Sequence, residues 1–268
     1  MNLMGGAKMY TFHRPFALLF TFCLCLFLIL SFPSVTKAIQ DKSLVLYLPF
    51  EEGSGNTTKD LSGNGNAGAV KSAEWTKDGK KGKAIFFDGK SSYVEVADSK
   101  SLDMDEGITI EAWINAESFP GDYPRIVMKG YGTAYELDAK NTSSIDWEAN
   151  VGGWRECNSG NNTIQLKQWH HVAGTFDGKA MRIFIDGAEK IACPFTGKIG
   201  ITTDILQIGA YTPKSAVCFN GIIDEVAIYN RALNLSEIQK DMADGILPLS
   251  VNALDKLTVT WGHAKMGY

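Results

Sequence analysis

Residues 169–187 read Trp-His-His-Val-Ala-Gly-Thr-Phe-Asp-Gly-Lys-Ala-Met-Arg-Ile-Phe-Ile-Asp-Gly. Two β-rich runs flank Asp177-Gly178, and a second Asp-Gly follows at Asp186-Gly187. Asp and Gly tolerate positive φ, so an Asp-Gly pair between such runs marks a hairpin turn. Glu189-Lys190-Ile191-Ala192 can supply a third strand, which makes an antiparallel meander. Met181, Ile183 and Ile185 share one face of the middle strand, with Arg182 and Phe184 on the other. Val172 and Phe176 oppose Trp169, His171 and Thr175 in the same way. Apolar groups on both faces predict a strand inside a layered β fold, covered on each side.

Outward from this meander, the same reading places strands at 44–50, 108–114, 125–129, 133–138, 144–151 and 205–209. Ala84–Phe87 and Tyr93–Val96 form a hairpin around Asp88-Gly89. Residues 51–68 are rich in Gly, Asn, Ser and Asp, and their oxygen density predicts an ordered loop. Lys77 to Lys83 reads as a solvated turn. In Ile222–Tyr229, Asp224 has the parity of Ile222, Val226 and Ile228, so a period of two puts its carboxylate on an apolar face. A buried charge is costly unless paired or bound to a metal. One short helix is predicted over 235–243, with Asn234 and Glu237 at capping-box spacing and Gly245 beyond its end. The tail 246–268, with a strand-like Leu257–Trp261, is an appendage.

The chain has 268 residues and a formal charge of −4. Residues 1–38 read as a secretory signal: Lys8, His13 and Arg14 precede an apolar run from Phe16 to Phe32, and Thr36 and Ala38 suit a small-residue cleavage site. The alternative is an uncleaved membrane anchor, because the run is near the lower limit for a span. Cleavage leaves 23 basic against 30 acidic residues, a net charge of −7. Phosphate binding needs a positive field, so nucleic acid is excluded as the main partner. No insertion into the membrane is expected after cleavage, and the mature chain would be secreted, extracellular or periplasmic. Export permits disulfides. Of Cys157, Cys193 and Cys218, spacing does not choose a pair; Cys193 with Cys218 is the expected one, because both flank the end of the fold.

The ordered segments resemble the laminin-G-like jelly-roll family of the concanavalin A-like lectin/glucanase superfamily. The matching pieces include Leu48–Gly55, Asp60–Asn64, Gly82–Gly89, Thr109–Ile114, Trp169–Ala173, Ile183–Gly187, Gly221–Val226 and Tyr229–Leu233 running into Ser236–Ile238. The resemblance spans 44–243. It implies an all-β, two-sheet antiparallel jelly-roll sandwich with one short C-terminal helix, usually a recognition module in exported proteins.

The superfamily's glucanases carry Glu-x-Asp followed by a second Glu on one strand. Glu136-Leu137-Asp138 matches the first half, but Ala139, Lys140 and Asn141 follow, so the acid/base carboxylate is missing and no catalytic residue is assigned. His170 and His171 lack a neighbouring nucleophile, and His171 reads as a packing or hydrogen-bonding residue. Some relatives hold a structural calcium, which implies Asp60, Asn64 and Asp224 as oxygen ligands for Ca²⁺; the alternative is a purely hydrogen-bonded network. Tyr131, Tyr135, Trp147 and Trp154, with Asp122, Arg125, Asn150 and Asn158 nearby, form the candidate ligand face. Aromatic rings and amides suit sugars, while the plainer alternative is sandwich core for at least half of the rings. Asn56, Asn141, Asn161 and Asn234 lie in glycosylation sequons. The expectation is a non-catalytic module that binds carbohydrate or an extracellular protein. The alternatives are an adhesion piece whose tail docks a partner and a degenerate glucanase.

Overall fold

The computed structural model describes residues 41–212 and 217–246. The signal segment and the tail from 247 onward lie outside these residues. In chain order the strands are β1 (Leu44–Leu48), β2 (Thr57–Thr58), β3 (Gly68–Lys71), β4 (Glu74–Thr76), β5 (Ala84–Asp88), β6 (Tyr93–Val96), β7 (Ile108–Ser118) and β8 (Arg125–Lys129). They continue with β9 (Tyr135–Lys140), β10 (Ser144–Asn150), β11 (Trp154–Asn158), β12 (Trp169–Phe176), β13 (Ala180–Ile185), β14 (Ala188–Pro194), β15 (Leu206–Ile208) and β16 (Asn220–Tyr229). The helix α1 covers Leu235–Asp244.

Two eight-stranded antiparallel sheets form. The first runs β14-β13-β12-β7-β16-β5-β4, with β1 beside the C-terminal half of β16. The second runs β11-β10-β9-β8-β15-β6-β3-β2. This is the expected jelly-roll sandwich, and β12, between β7 and β13, is the interior strand that its two-faced apolar pattern required. No helix among the described residues is long and apolar enough to cross a membrane.

One apolar layer lies between the sheets, built from alternate residues such as Ile108, Ile110, Ala112 and Ile114 of β7 and Leu137, Ala139, Ile145 and Trp147 of the second sheet. A smaller cluster, with Tyr47, Ala173, Phe184, Ala227, Tyr229 and Ile238, lies on the opposite face of the first sheet. The helix α1 covers it. Its capping box closes as predicted: Glu237 N donates to Asn234 Oδ1 at 3.1 Å, and Asn234 N donates to Glu237 Oε2 at 2.8 Å. Under α1, Tyr229 Oη donates to Asp241 Oδ2 at 2.7 Å. Glu111 lies fully buried beside them, and burial, then Asp241, push its carboxyl well above the usual range.

Residues 51–68 form an ordered loop, and Asp60 is its centre. Its oxygens accept from Tyr47 N at 3.0 Å, Ser62 N at 2.8 Å, Ser62 Oγ at 2.8 Å and Asn66 N at 2.9 Å. Asn64 Nδ2 donates to Leu44 O at 3.2 Å and to Ser62 Oγ at 3.1 Å. The loop is thereby fastened along β1.

One sequence expectation fails on the first sheet. A bulge at Glu225, whose φ is 52°, breaks the parity of β16. Ile223, Val226 and Ile228 reach the inter-sheet core, whereas Asp224 faces Trp113 on the other side of the sheet. Asp224 is buried there under residues 77–83: Lys81 N donates to its Oδ2 at 2.9 Å and Glu225 N to its Oδ1 at 2.8 Å. Burial first, and then Glu225, push Asp224 up to about 7 against the pull of the Lys81 amide. The lysine-rich segment is therefore a cover as well as a turn, with Lys80 Nζ lying 4.1 Å from the Trp113 ring centre.

The expected Cys193–Cys218 pair does not form. Cys157 bonds Cys193, across a sequence separation of 36, and Cys218 is a buried free thiol. The reason is topological. Strands β11 and β14 are the ends of their sheets on the same side of the sandwich, and Cys157 and Cys193 project toward each other across it. Cys218 instead sits against Lys90 O at 3.2 Å.

Candidate functional site

The outer face of β8–β11 is polar. Strand alternation sends Tyr135, Leu137 and Ala139 of β9 into the core and Glu136, Asp138 and Lys140 outward. On β10, Ile145, Trp147 and Ala149 go inward, while Asp146, Glu148 and Asn150 go outward. Register then places Glu148 between Glu136 of β9 and Glu156 of β11, and Asp146 between Asp138 and Asn158. Trp154 stands opposite Asn150.

Two groups of charge result. Arg125 pairs with Asp138 and, at 2.8 Å, with Glu136; all three are buried. Burial works against the guanidinium, but Asp138, Glu136 and Glu148 more than offset it and hold Arg125 charged. Lys140 pairs with Asp146 at 2.6 Å and Glu156 at 2.5 Å. Glu148 belongs to both neighbourhoods and has no lysine or arginine within 4 Å among the described residues. Its Oε2 accepts from Trp154 Nε1 at 3.0 Å. Burial and then the Glu136 carboxylate push Glu148 up to about 7, with Arg125 pulling the other way.

Aromatic rings rim this charged floor. Trp154 is 37% exposed and Tyr131 51%. Tyr131 stacks on Tyr211 at 5.1 Å. Arg125 lies 5.7 Å from the ring centres of both Tyr123 and Tyr131, and Lys140 Nζ is 4.8 Å from that of Tyr123. Asn141 Nδ2 donates to Asp122 Oδ1 at 2.7 Å.

The four rings of the expected ligand face thus divide. Trp154 and Tyr131 lie on the outer face. Trp147 and Tyr135 are core residues, 0% and 1% exposed. Trp147 Nε1 donates across the sandwich to Thr175 O at 3.0 Å, and Tyr135 Oη donates to Leu102 O at 3.0 Å. Both have odd parity against the outward Glu136 and Glu148, so strand alternation was the signal that separates them.

Among the described residues, the acidic groups able to hold a metal ion are Glu136, Asp138 and Glu148, and Asp146, Glu148 and Glu156. Neither contains Asp60 or Asp224, whose carboxylates bond different loops. In each group a resident cation, Arg125 or Lys140, already neutralises part of the charge. The Asp60 oxygens face four hydrogen donors, the arrangement of the hydrogen-bonded alternative.

A third carboxylate comes beside Glu136-Leu137-Asp138 from the neighbouring strand. Glu148 brings an oxygen within 4.8 Å of oxygens of both Glu136 and Asp138. A search along one strand could not find it; pairing β9 with β10 does. The histidines are structural in geometry. His171 is buried 3.7 Å from Glu111, and burial pushes it down to about 4, so it is neutral at pH 7. His170 Nδ1 meets Asp186 Oδ2 at 2.8 Å.

Among solved structures, the chain is similar to the binding domain of Paraclostridial Mosquitocidal Protein 1, with 21% identity and a TM-score of 0.62 over 74% of this chain and 51% of that one. It is similar to Domain 4 of AbnA, a GH43 extracellular arabinanase from Geobacillus stearothermophilus in complex with arabinotriose, with 19% identity and a TM-score of 0.61 over 74% of this chain and 97% of that one. It is also similar to the botulinum neurotoxin serotype G binding domain, with 15% identity and a TM-score of 0.59 over 74% of this chain and 50% of that one. The chain spans about half the length of the two toxin domains. At these identities the likeness is one of fold. No curated protein matches the chain. A family model described as the concanavalin A-like lectin/glucanases superfamily matches residues 88–239, more than half of the sequence, and the chain belongs to that superfamily.

Proposed function

We propose that the chain is an exported, non-catalytic recognition module that binds carbohydrate on the outer face of β8–β11. One observation carries this reading: partly exposed Trp154 and Tyr131 stand beside hydrogen-bonding carboxylates held rigidly in strands. Sugars present apolar ring faces and a rim of hydroxyls, and such a surface answers both. The fold shared with an arabinanase domain in complex with arabinotriose supports the reading, and the Cys157–Cys193 disulfide supports an oxidising compartment. A glycan array with the full chain tests it. The reading requires hits that Trp154→Ala abolishes; hits unchanged by that substitution would refute it.

The three carboxylates favour a second reading, a glycoside hydrolase. Retaining enzymes hold two carboxyls about 5–5.5 Å apart, and Glu136, Asp138 and Glu148 have oxygens within 4.8 Å of one another. Arg125 weighs against it, because it ties up Glu136 and Asp138, one of which would have to act as nucleophile. Release of reducing sugar from the array hits, lost in Glu148→Gln, would establish the second reading over the first.

A further inference from the structure

We propose that Glu111 of β7 and Asp241 of α1 share one proton, and that this proton clips α1 to the first sheet, so that rising pH releases the helix while the sandwich stays folded. The clip belongs to the first sheet and is independent of the saccharide face on the second.

Glu111 stands between Ala173 of β12 and Ala227 of β16, on the face that α1 covers. It is 0% exposed, and no amide, hydroxyl or amine among the described residues donates to either of its oxygens. His171 Nε2 is 3.7 Å away, too far for a hydrogen bond. What bonds Glu111 is the carboxyl of Asp241, reaching in from α1. Ionised carboxylates only accept, so two of them can bond only while one carries a proton. Asp241 Oδ2 already accepts from Tyr229 Oη at 2.7 Å. That leaves Asp241 as the acceptor and places the proton on Glu111.

The clip matters because α1 has few other anchors. Of its ten residues, Ile238 alone is buried. Gln239 Nε2 donates to Gly187 O at 2.9 Å, and Glu237 pairs with Arg231 at 2.9 Å. The charges around the pair pull both ways. Lys81, from the segment over β16, favours an ionised Glu111, while Asp241 and Glu225 oppose it. Lys81 Nζ is itself 4.0 Å from Glu225 Oε2, which accepts from Tyr47 Oη, and Asp224 bonds the Lys81 amide. On the helix, Lys240 favours an ionised Asp241 and Glu237 opposes it. His171 is held neutral by burial. Burial is the largest influence on Glu111 and keeps its proton well above the usual carboxylate range. A carboxyl raised in the folded state stabilises that state in acid and ceases to do so as pH rises through the folded value. The clip is therefore closed in acid and opens toward alkaline pH.

Hydrogen exchange followed by NMR on the full chain, corrected for intrinsic exchange, tests this from about pH 6 to about pH 9, below the ordinary range of tyrosine and lysine. The α1 amides are expected to lose about tenfold in protection, the weight of one pKa unit, while the β7 amides keep theirs. The carboxyl carbon shift of Glu111 is expected to titrate in step with that loss. Asp241→Asn accepts from Tyr229 through Oδ1 and donates to Glu111 through Nδ2, which closes the clip without a shared proton. Its α1 protection is expected to stay level across the range. Should Asp241→Asn not fold, Glu111→Gln, whose amide donates to Asp241, carries the same expectation. Level α1 protection in the parent chain, equal losses in α1 and β7, or a loss that persists in the variants would each overturn the proposal.

Discussion

Replacing both Cys157 and Cys193 with Ala removes the one covalent tie between the sheets. The bond closes a loop with a sequence separation of 36. Chain-entropy scaling for a loop of that length gives about 4 kcal/mol of lost stability at 25 °C. With a urea m-value of about 2 kcal/mol/M, the unfolding midpoint falls by roughly 2 M. The consequence reaches the proposed ligand face, because β11 carries Trp154 and Glu156 and is hydrogen-bonded in its sheet to β10 alone. Without the tie to β14, this edge strand frays, and saccharide affinity falls together with stability. Urea unfolding followed by tryptophan fluorescence, with the same variants titrated by calorimetry, measures both. A midpoint shift below about 0.5 M, or peptide mapping that recovers Cys193 joined to Cys218, would refute the reasoning.

Trp147→Ala should cost about 3–5 kcal/mol as a core deletion, because Trp147 is buried and spans the sheets to Thr175; Trp154→Ala should leave the melting midpoint nearly unchanged, and equal losses would contradict the division of the rings. Glu148 and Asp224 are both pushed up to about 7. A carboxyl raised in the folded state contributes fully below its unfolded value and loses that contribution as pH rises through the folded value. Glu148→Gln should therefore gain stability relative to the parent protein between about pH 5 and pH 8, by up to about 3 kcal/mol, and a difference independent of pH would count against a buried, unpaired Glu148. Thermal melts in calcium and in EDTA should coincide, since hydrogen donors fill the Asp60 oxygens; a midpoint raised by calcium would restore the ion that the family resemblance implied.

What the sequence disclosed follows from which forces are local. The Asp177-Gly178 and Asp186-Gly187 turns fix their own φ values, so the meander β12–β14 was readable from a few adjacent residues. The Asn234–Glu237 capping box was local in the same way. The errors are all non-local. Period-two counting through Asp224 failed because a positive φ at Glu225 inserts a bulge, which no alternation count over the residue types reveals. The disulfide depends on which sheet edges meet, and β11, short and largely exposed, carried too weak an apolar signal to be placed. The site suffered most. Glu136-Leu137-Asp138 looked isolated along one strand, and only the β9–β10 register brings Glu148 beside it. Trp147 and Trp154 look alike by composition; the first bonds Thr175 inside the sandwich and the second bonds Glu148 on its surface.

A crystal structure of the chain soaked or grown with its best glycan-array hit addresses the whole account at once. The account predicts sugar density on the outer face of β8–β11, with a ring against Trp154 and a polar group at Glu148. Density confined to another surface, such as the loops at an end of the sandwich, with Trp154 and Glu148 untouched, would contradict it.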